Sequence, residues 1–349
     1  MSDVLKSALA VVMRGDSLDE GAAHAAMAEV MEGGATPAQL GGLLLALRMR
    51  GETVDELAGF ALAMRERVLP VAAPDGAIDT CGTGGDGSRT FNISTAAALV
   101  VAAAGVPVAK HGNRAMSSAT GSADVLEALG IPIDLSPDQA EDALTTEGFA
   151  FLFAPNYHPA MRHAGPVRRE LGVPTAFNLL GPITNPAGVR RQVIGVADPG
   201  AAEKVAQVLC RLGVDRAFVV RGDGVDELPL DGSGVMYDVS GGGVTRLDVD
   251  GADFGLGSAA TIELRGGDAS ENAAIIESIL GGATGPRREV VLLNAGACLL
   301  AAGRAAGLRD GVELAAATID EGRAKAFLER LRVPRAATEA LAAAASAAA

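Results

Sequence analysis

Over the first seventy residues the apolar positions recur at helical spacing and stop where residues that end helices stand. Leu40, Leu43, Leu44 and Leu47 share one face, behind Pro37 at the tolerated first helical position and ahead of Gly51. Ser17…Glu20, Thr36…Gln39 and Thr53…Glu56 each have the hydroxyl-x-x-Glu/Gln spacing of a capping box. With an earlier helix from Val4 to Met13, they predict a small all-helical domain over residues 1–72, leading onward through Pro70 to Gly76.

From Ala77 the pattern changes to short apolar runs alternating with capped helices. Runs at Ala77–Thr80, Val106–Ala109, Phe149–Phe153, Arg191–Val196 and Arg216–Arg221 predict strands. Ser122, Ser136-Pro137 and Asp198-Pro199 mark helix starts between them. Such alternation predicts an α/β domain over residues 73–349, a mostly parallel sheet covered by helices, with ligands at the carboxyl ends of its strands. Asp231 to Gly267 lacks helical period and reads as irregular or antiparallel. Helices return at Asn272–Leu280, Val290–Ala302 and Glu313–Leu331, and Ala336 to Ala349 reads as a helix that frays.

Composition narrows the class. The chain has 349 residues, 49% of them hydrophobic, no Trp and 45 glycines, so small aliphatic side chains and closely approaching backbones must fill the core. A net charge of −14 argues against nucleic acid or an anionic membrane as partner. It leaves room for a local phosphate site, where N–H groups and a few cations outweigh the distant field. Cys81, Cys210 and Cys298 are widely spaced and read as free thiols. The N-terminus carries no leader pattern, so the cytoplasm is expected. The apolar stretch from Ile93 to Ala109 is broken by Gly105 and Pro107 and reads as a buried helix followed by a strand.

The candidate chemistry lies in four segments. Gly82-Thr83-Gly84-Gly85-Asp86-Gly87 follows a predicted strand, and Asn92-Ile93-Ser94-Thr95 opens the next helix. Glycines there turn backbone N–H groups toward an anion, and the helix start adds its positive end. Alone, this is equally a turn that needs glycine for geometry. The spacing fits neither a Walker loop nor a dinucleotide fingerprint. A second strand leads into Lys110-His111-Gly112-Asn113-Arg114, Ser117-Ser118 and Gly121-Ser122. In a parallel sheet both loops leave one edge and would face one polyphosphate ligand. Asp226-Glu227, past a third strand, suits Mg²⁺, although by itself it reads as an acidic turn. Arg168 could fork a carboxylate or simply lie on a helix surface. Gly181-Pro182 and Asn185-Pro186 suit a hinge.

The ordered set of Gly82–Asp86, Asn92–Thr95, Lys110–Arg114 with Ser117-Ser118, and Phe177-Asn178 through Pro186 closely resembles the anthranilate phosphoribosyltransferase family of tryptophan biosynthesis. The resemblance covers essentially the whole chain. It implies a nucleoside phosphorylase/phosphoribosyltransferase-like fold, a homodimer, and a helical domain completed by a segment near 170–188. It implies that Gly82, Gly85, Asp86, Thr90, Asn92, Ile93, Ser94, Thr95, Lys110, His111, Gly112, Asn113, Arg114, Ala115, Met116, Ser117, Ser118 and Ser122 surround phosphoribosyl pyrophosphate. Ser94, Asp226 and Glu227 fall on the family's magnesium positions, and Gly82, Asn113 and Arg168 on its anthranilate positions. His111, Tyr157 and His158 would line the aromatic mouth. Thr120 departs slightly, standing where a Ser or similar small residue is expected.

Displacing pyrophosphate from ribose C1 asks chiefly for charge neutralisation and alignment of the amine. Mg²⁺, Lys110 and Arg168 would supply these, and no residue presents itself as a general base. Three alternatives stay open: a pyrimidine nucleoside phosphorylase, a relative using another aromatic acceptor, and a binding protein that keeps the phosphate site without turnover.

Overall fold

Four helices open the chain: α1 (Asp3–Met13), α2 (Glu20–Met31), α3 (Pro37–Arg50) and α4 (Val54–Arg65). They belong to a computed structural model that describes residues 2–115 and 120–332. Met116, Ser117, Ser118 and the Ala-rich tail lie outside the described residues. Thr36 and Thr53 form the expected capping boxes with Gln39 and Glu56. The third box is not formed. Asp19, not Ser17, caps α2, its carboxylate accepting the Ala22 N–H at 2.7 Å. A charged acceptor next to the first turn outcompetes a hydroxyl two residues away. Glu56 is fully buried, and besides capping α4 it accepts the Leu18 N–H at 2.9 Å and pairs with Arg50.

The rest of the chain runs β1 (Ile78–Gly82), α5 (Ile93–Ala103), β2 (Val108–Gly112), α6 (Ser122–Ala128), α7 (Pro137–Thr146) and β3 (Phe149–Phe153). It returns through α8 (Ala154–Tyr157), α9 (Gly165–Leu171) and α10 (Ala176–Leu180) to β4 (Arg191–Gly195), α11 (Pro199–Arg211) and β5 (Arg216–Arg221). The hairpin β6 (Gly234–Ser240) and β7 (Gly243–Val249) follows, then α12 (Ala269–Leu280), α13 (Pro286–Ala301), α14 (Leu308–Asp320) and α15 (Arg323–Leu331).

The sheet order is β3-β2-β1-β4-β5-β6-β7, with the first five strands parallel and the last two antiparallel. All five predicted strands are present, but β2 starts and ends later than its pattern suggested. The helix expected over 313–331 is two helices, because Gly322 sits at φ 74 between α14 and α15. That left-handed turn favours glycine and breaks the helical ladder.

One core lies on the α5 and α13 face of the sheet, where small side chains such as Ala96, Ala97 and Ala98 let helices approach closely. A second joins α1 to α4 with α9, α10, α11 and the opposite face of β4 to β6, and a smaller third packs α7 against β2 and β3. Val167 of α9 and Phe177 and Leu180 of α10 are thus buried among the opening helices before the chain crosses to β4. Because β1 lies between β2 and β4, the strand order reverses at the β1/β4 boundary. In open sheets of this kind ligands bind in the crevice beyond the carboxyl ends of the strands at such a point. No helix among the described residues is long and apolar enough to cross a membrane.

Candidate active site

At that crevice Gly82 ends β1 beside Gly195 of β4, and the segment after β5 crosses over both. A Cβ on Gly195 would lie 1.6 Å from the Asp226 carbonyl oxygen, and one on Gly82 2.2 Å from the Asp226 carboxylate. Only glycine permits this crossing. Gly84, Gly85 and Gly87 take positive φ values of 64°, 72° and 76° and turn the loop back on itself. The Asp226 carboxylate accepts the Gly84 N–H at 2.8 Å, and Glu227 accepts the Ser94 N–H of α5 at 3.2 Å. Asp86 accepts from the Ser88 N–H and hydroxyl and, at 3.4 Å, from the Asp226 N–H. Loop, helix start and carboxylate pair therefore converge on one spot.

The pair sits uneasily as two anions. Burial, and after it the charge of Asp86, pushes Asp226 up to about 7; burial and then the charge of Asp226 push Glu227 well above the carboxylate range. A hard cation relieves that repulsion, so the donor set fits Mg²⁺. Among the described residues no three His, Cys, Asp or Glu side chains stand close enough to hold a metal by themselves. Water and substrate oxygens would have to complete the shell.

Lys110 does not reach into the crevice as expected. It is 1% exposed, and its Nζ donates to the Thr80 carbonyl at 2.6 Å. From beneath the strand ends its charge offsets Asp79 and Glu227. Burial raises Asp79 to about 6. Its carboxylate accepts the His111 N–H at 3.2 Å and the Asn185 amide at 2.8 Å, while Asn185 also donates to the Ala109 carbonyl. The Asn185-Pro186 breaker is in this way tied to β1 and β2.

His111 and His158 face each other, Nε2 to Nε2, at 3.2 Å, and His111 Nδ1 lies 3.2 Å from the Gly181 carbonyl. Burial drives His111 down to about 3 and His158 to about 4, so both are neutral. Tyr157 lines no opening: it is fully buried in a core with Leu144 and Leu152, and its hydroxyl donates to the Leu135 carbonyl. Ile93 is likewise core and can offer only its backbone.

The remaining expected residues rim the crevice. Thr90 bridges to Arg265, and the buried Thr95 hydroxyl has no partner among the described residues. The Ser122 hydroxyl donates to the Asn113 carbonyl at 3.4 Å, close above Gly112, where a Cβ would lie 2.3 Å from Ser122 Oγ. Arg114 is 46% exposed and pairs with Asp124 and Glu127 at 2.8 and 2.9 Å. Asp124 also accepts the Ala115 and Gly121 N–H groups, so it shapes the loop from α6. Half-buried Arg168 lies over the Phe177 ring, 5.1 Å from its centroid, with no acidic partner among the described residues. Asp79, Thr120, Asp124, Asn185 and Asn272 were not singled out from the sequence as site residues. Only Asp124, three residues after Gly121 at a helix start, carried a local signal.

A helical bundle joined to a mostly parallel sheet, with an anion loop and carboxylate pair at the switch point, defines a two-part transferase of activated sugars. Residues 6–68 match the helical bundle domain of a glycosyl transferase family, and residues 74–325 match its a/b domain. The chain belongs to this family and, within it, to the anthranilate phosphoribosyltransferases. It is 51% identical to that enzyme of Afipia carboxidovorans, over 95% of this chain and 98% of the relative. For Symbiobacterium thermophilum the figures are 53%, 94% and 97%. The crystal structure of the Thermus thermophilus enzyme, 46% identical, superposes with a TM-score of 0.88 over 95% of this chain and all of that one. The Saccharomyces cerevisiae enzyme in complex with phosphoribosyl pyrophosphate and Mg is 26% identical, with a TM-score of 0.84 over 95% and 97% of the two chains.

Proposed function

We propose that this site transfers the phosphoribosyl group of phosphoribosyl pyrophosphate to the amine of anthranilate, with Mg²⁺ as cofactor. The carrying observation is the convergence of the Gly82–Gly87 loop, the start of α5 and the Asp226-Glu227 pair at the β1/β4 switch point. When bound, Mg²⁺ supplies positive charge against the departing pyrophosphate, held by Asp226 and Glu227 with Ser94 beside them.

The Gly84 and Ser94 N–H groups, now occupied by carboxylates, are the donors that phosphate oxygens would take. Lys110 works indirectly: from below, its charge favours the anionic forms of Glu227 and Asp79 against the larger, opposing effect of burial. Thr90, Asn92, Thr95, His111 to Ser118 and Ser122 surround ribose and phosphates. Arg168 holds the anthranilate carboxylate, with Gly82 and Asn113 beside the ring. The C1–oxygen bond to pyrophosphate breaks, a C1–nitrogen bond forms, and the ammonium product gives its proton to water. Neither buried imidazole is needed for that step.

Residues 1–72 with 170–188 act as one domain and the rest of 73–349 as the other, closing on the crevice. The enzyme works in the cytoplasm as a homodimer. The exposed Val4, Met13, Leu45 and Met49, on the packed α1 and α3 helices, support a second copy as the partner. Light scattering on the purified chain tests this, and a monomer at micromolar concentration would overturn it. For the reaction, purified protein, phosphoribosyl pyrophosphate, anthranilate and Mg²⁺ should together quench anthranilate fluorescence with equimolar pyrophosphate release. Phosphorolysis of a pyrimidine nucleoside without metal, and no such quenching, would replace this reading with the phosphorylase.

A further inference from the structure

Four residues from three separate segments close a ring beside the glycine-rich loop. Asn272, on α12, is 2% exposed. Its Nδ2 donates to Asn92 Oδ1 at 2.9 Å, and Asn92 Nδ2 donates to the Thr120 carbonyl at 3.2 Å. The Thr120 hydroxyl donates to the Gly267 carbonyl at 2.9 Å, and the Gly267 N–H donates back to Asn272 Oδ1 at 2.8 Å. Each bond of the ring pairs a donor with an acceptor, and together they set the orientation of both amides. Asn92 precedes α5, yet its side chain does not cap that helix. The ring claims it instead. Gly266 makes room, since a Cβ there would lie 2.3 Å from Asn272 Oδ1. Backbone bonds from Phe91 to Leu264 and from Gly266 to Arg89 fasten the same strap to the far side of the loop.

We infer that Asn272 is a positioning residue for phosphoribosyl pyrophosphate. It fixes the Asn92 amide at the head of α5 and, through Thr120, sets that head against the approach to α6. The two phosphate loops are thereby held in one geometry. Thr120 keeps the hydroxyl that closes the ring, which gives the departure from Ser at this position a use. The inference rests on the proposed reading of Asn92–Thr95, His111 to Ser118 and Ser122 as the phosphate and ribose cradle.

The test uses Asn272→Ala, Asn272→Asp, Thr120→Val and Thr120→Ser in the full chain. Asn272→Asp keeps the shape but cannot donate to Asn92. It and Asn272→Ala should raise KM for phosphoribosyl pyrophosphate about tenfold, with kcat and KM for anthranilate within about threefold. Thr120→Val should do the same, and Thr120→Ser should restore the wild-type value. In the ligand-free protein, amide exchange at Gly267 should accelerate in Asn272→Ala while the β4 amides stay unchanged. Wild-type KM in Asn272→Asp, or equal losses in all three constants, would overturn the positioning role. Should the Asn272 variants fail to fold, the Thr120→Val and Thr120→Ser pair decides the matter. Unchanged exchange at Gly267 would sink the ring itself. A wild-type protein without transferase activity but with that exchange response would remove the proposed function and leave the ring standing.

Discussion

Removing the Arg168 guanidinium should cost the reaction with anthranilate far more than it costs the fold. The group is half-buried, burial lowers its pKa from the usual arginine value, and among the described residues no acidic side chain pairs with it. Its contact in the described structure is the Phe177 face, 5.1 Å from the centroid, which steadies the fork without using its N–H donors. A carboxylate taken bidentately gains two charge-assisted bonds, together worth about 2–4 kcal/mol after desolvation. Arg168→Ala should therefore lower kcat/KM for anthranilate roughly 30- to 900-fold. Loss of the ring contact should cost only about 0.5–1 kcal/mol of stability. Arg168→Lys, which keeps charge without fork or stacking, should fall between. The discriminating substrate is aniline, an acceptor without the carboxylate, on which wild type and Arg168→Ala should perform alike. A loss on anthranilate below threefold, or an equal loss on aniline, would refute the assignment.

Asp226→Asn with Glu227→Gln should abolish or displace the Mg²⁺ dependence of turnover; an unaltered metal titration would exclude this pair as ligands. The buried imidazoles make stability depend on pH. Folded values of about 3 for His111 and about 4 for His158 lie below the unfolded one, so their contribution is present above about pH 6.5 and is lost as pH falls toward 4. At pH 5 each should have lost about 2 kcal/mol, while the raised carboxyls of Asp79, Asp226 and Glu227 return stability over the same range as they take up protons. Urea unfolding at pH 7.5 and 5.0 should show wild type losing about 4 kcal/mol more, or gaining that much less, than the double variant His111→Gln, His158→Gln, and an equal pH response in the two would refute the imidazole contribution. Gly195→Ala places a Cβ 1.6 Å from the Asp226 carbonyl oxygen, backbone against backbone. It should lose about 3 kcal/mol or more in chemical denaturation; a variant as stable as wild type would mean that the crossing segment is free to move.

The glycine loop, the carboxylate pair and the five parallel strands were legible because each is written locally, in turn residues, adjacent acids or an apolar run. What escaped depends on pairing between distant segments. Lys110, His111 and Gly112 have the composition of a loop, and the pattern ends the strand at Ala109. The structure carries β2 on to Gly112, because Lys110, His111 and Gly112 pair with Phe151, Leu152 and Phe153 of β3. Once inside a strand, neighbours must point to opposite faces. Lys110 then turns under the strand ends toward Thr80, and His111 turns to the other side toward Gly181 and His158. Three extra paired residues thus leave the ammonium of Lys110 on the Thr80 carbonyl, near Asp79 and Glu227. The same cause hid Asn272, which meets Asn92 across 180 residues of sequence and has no local mark of a site residue. Local pattern identifies what can bind; long-range register decides which of those groups reaches the ligand and which holds another in place.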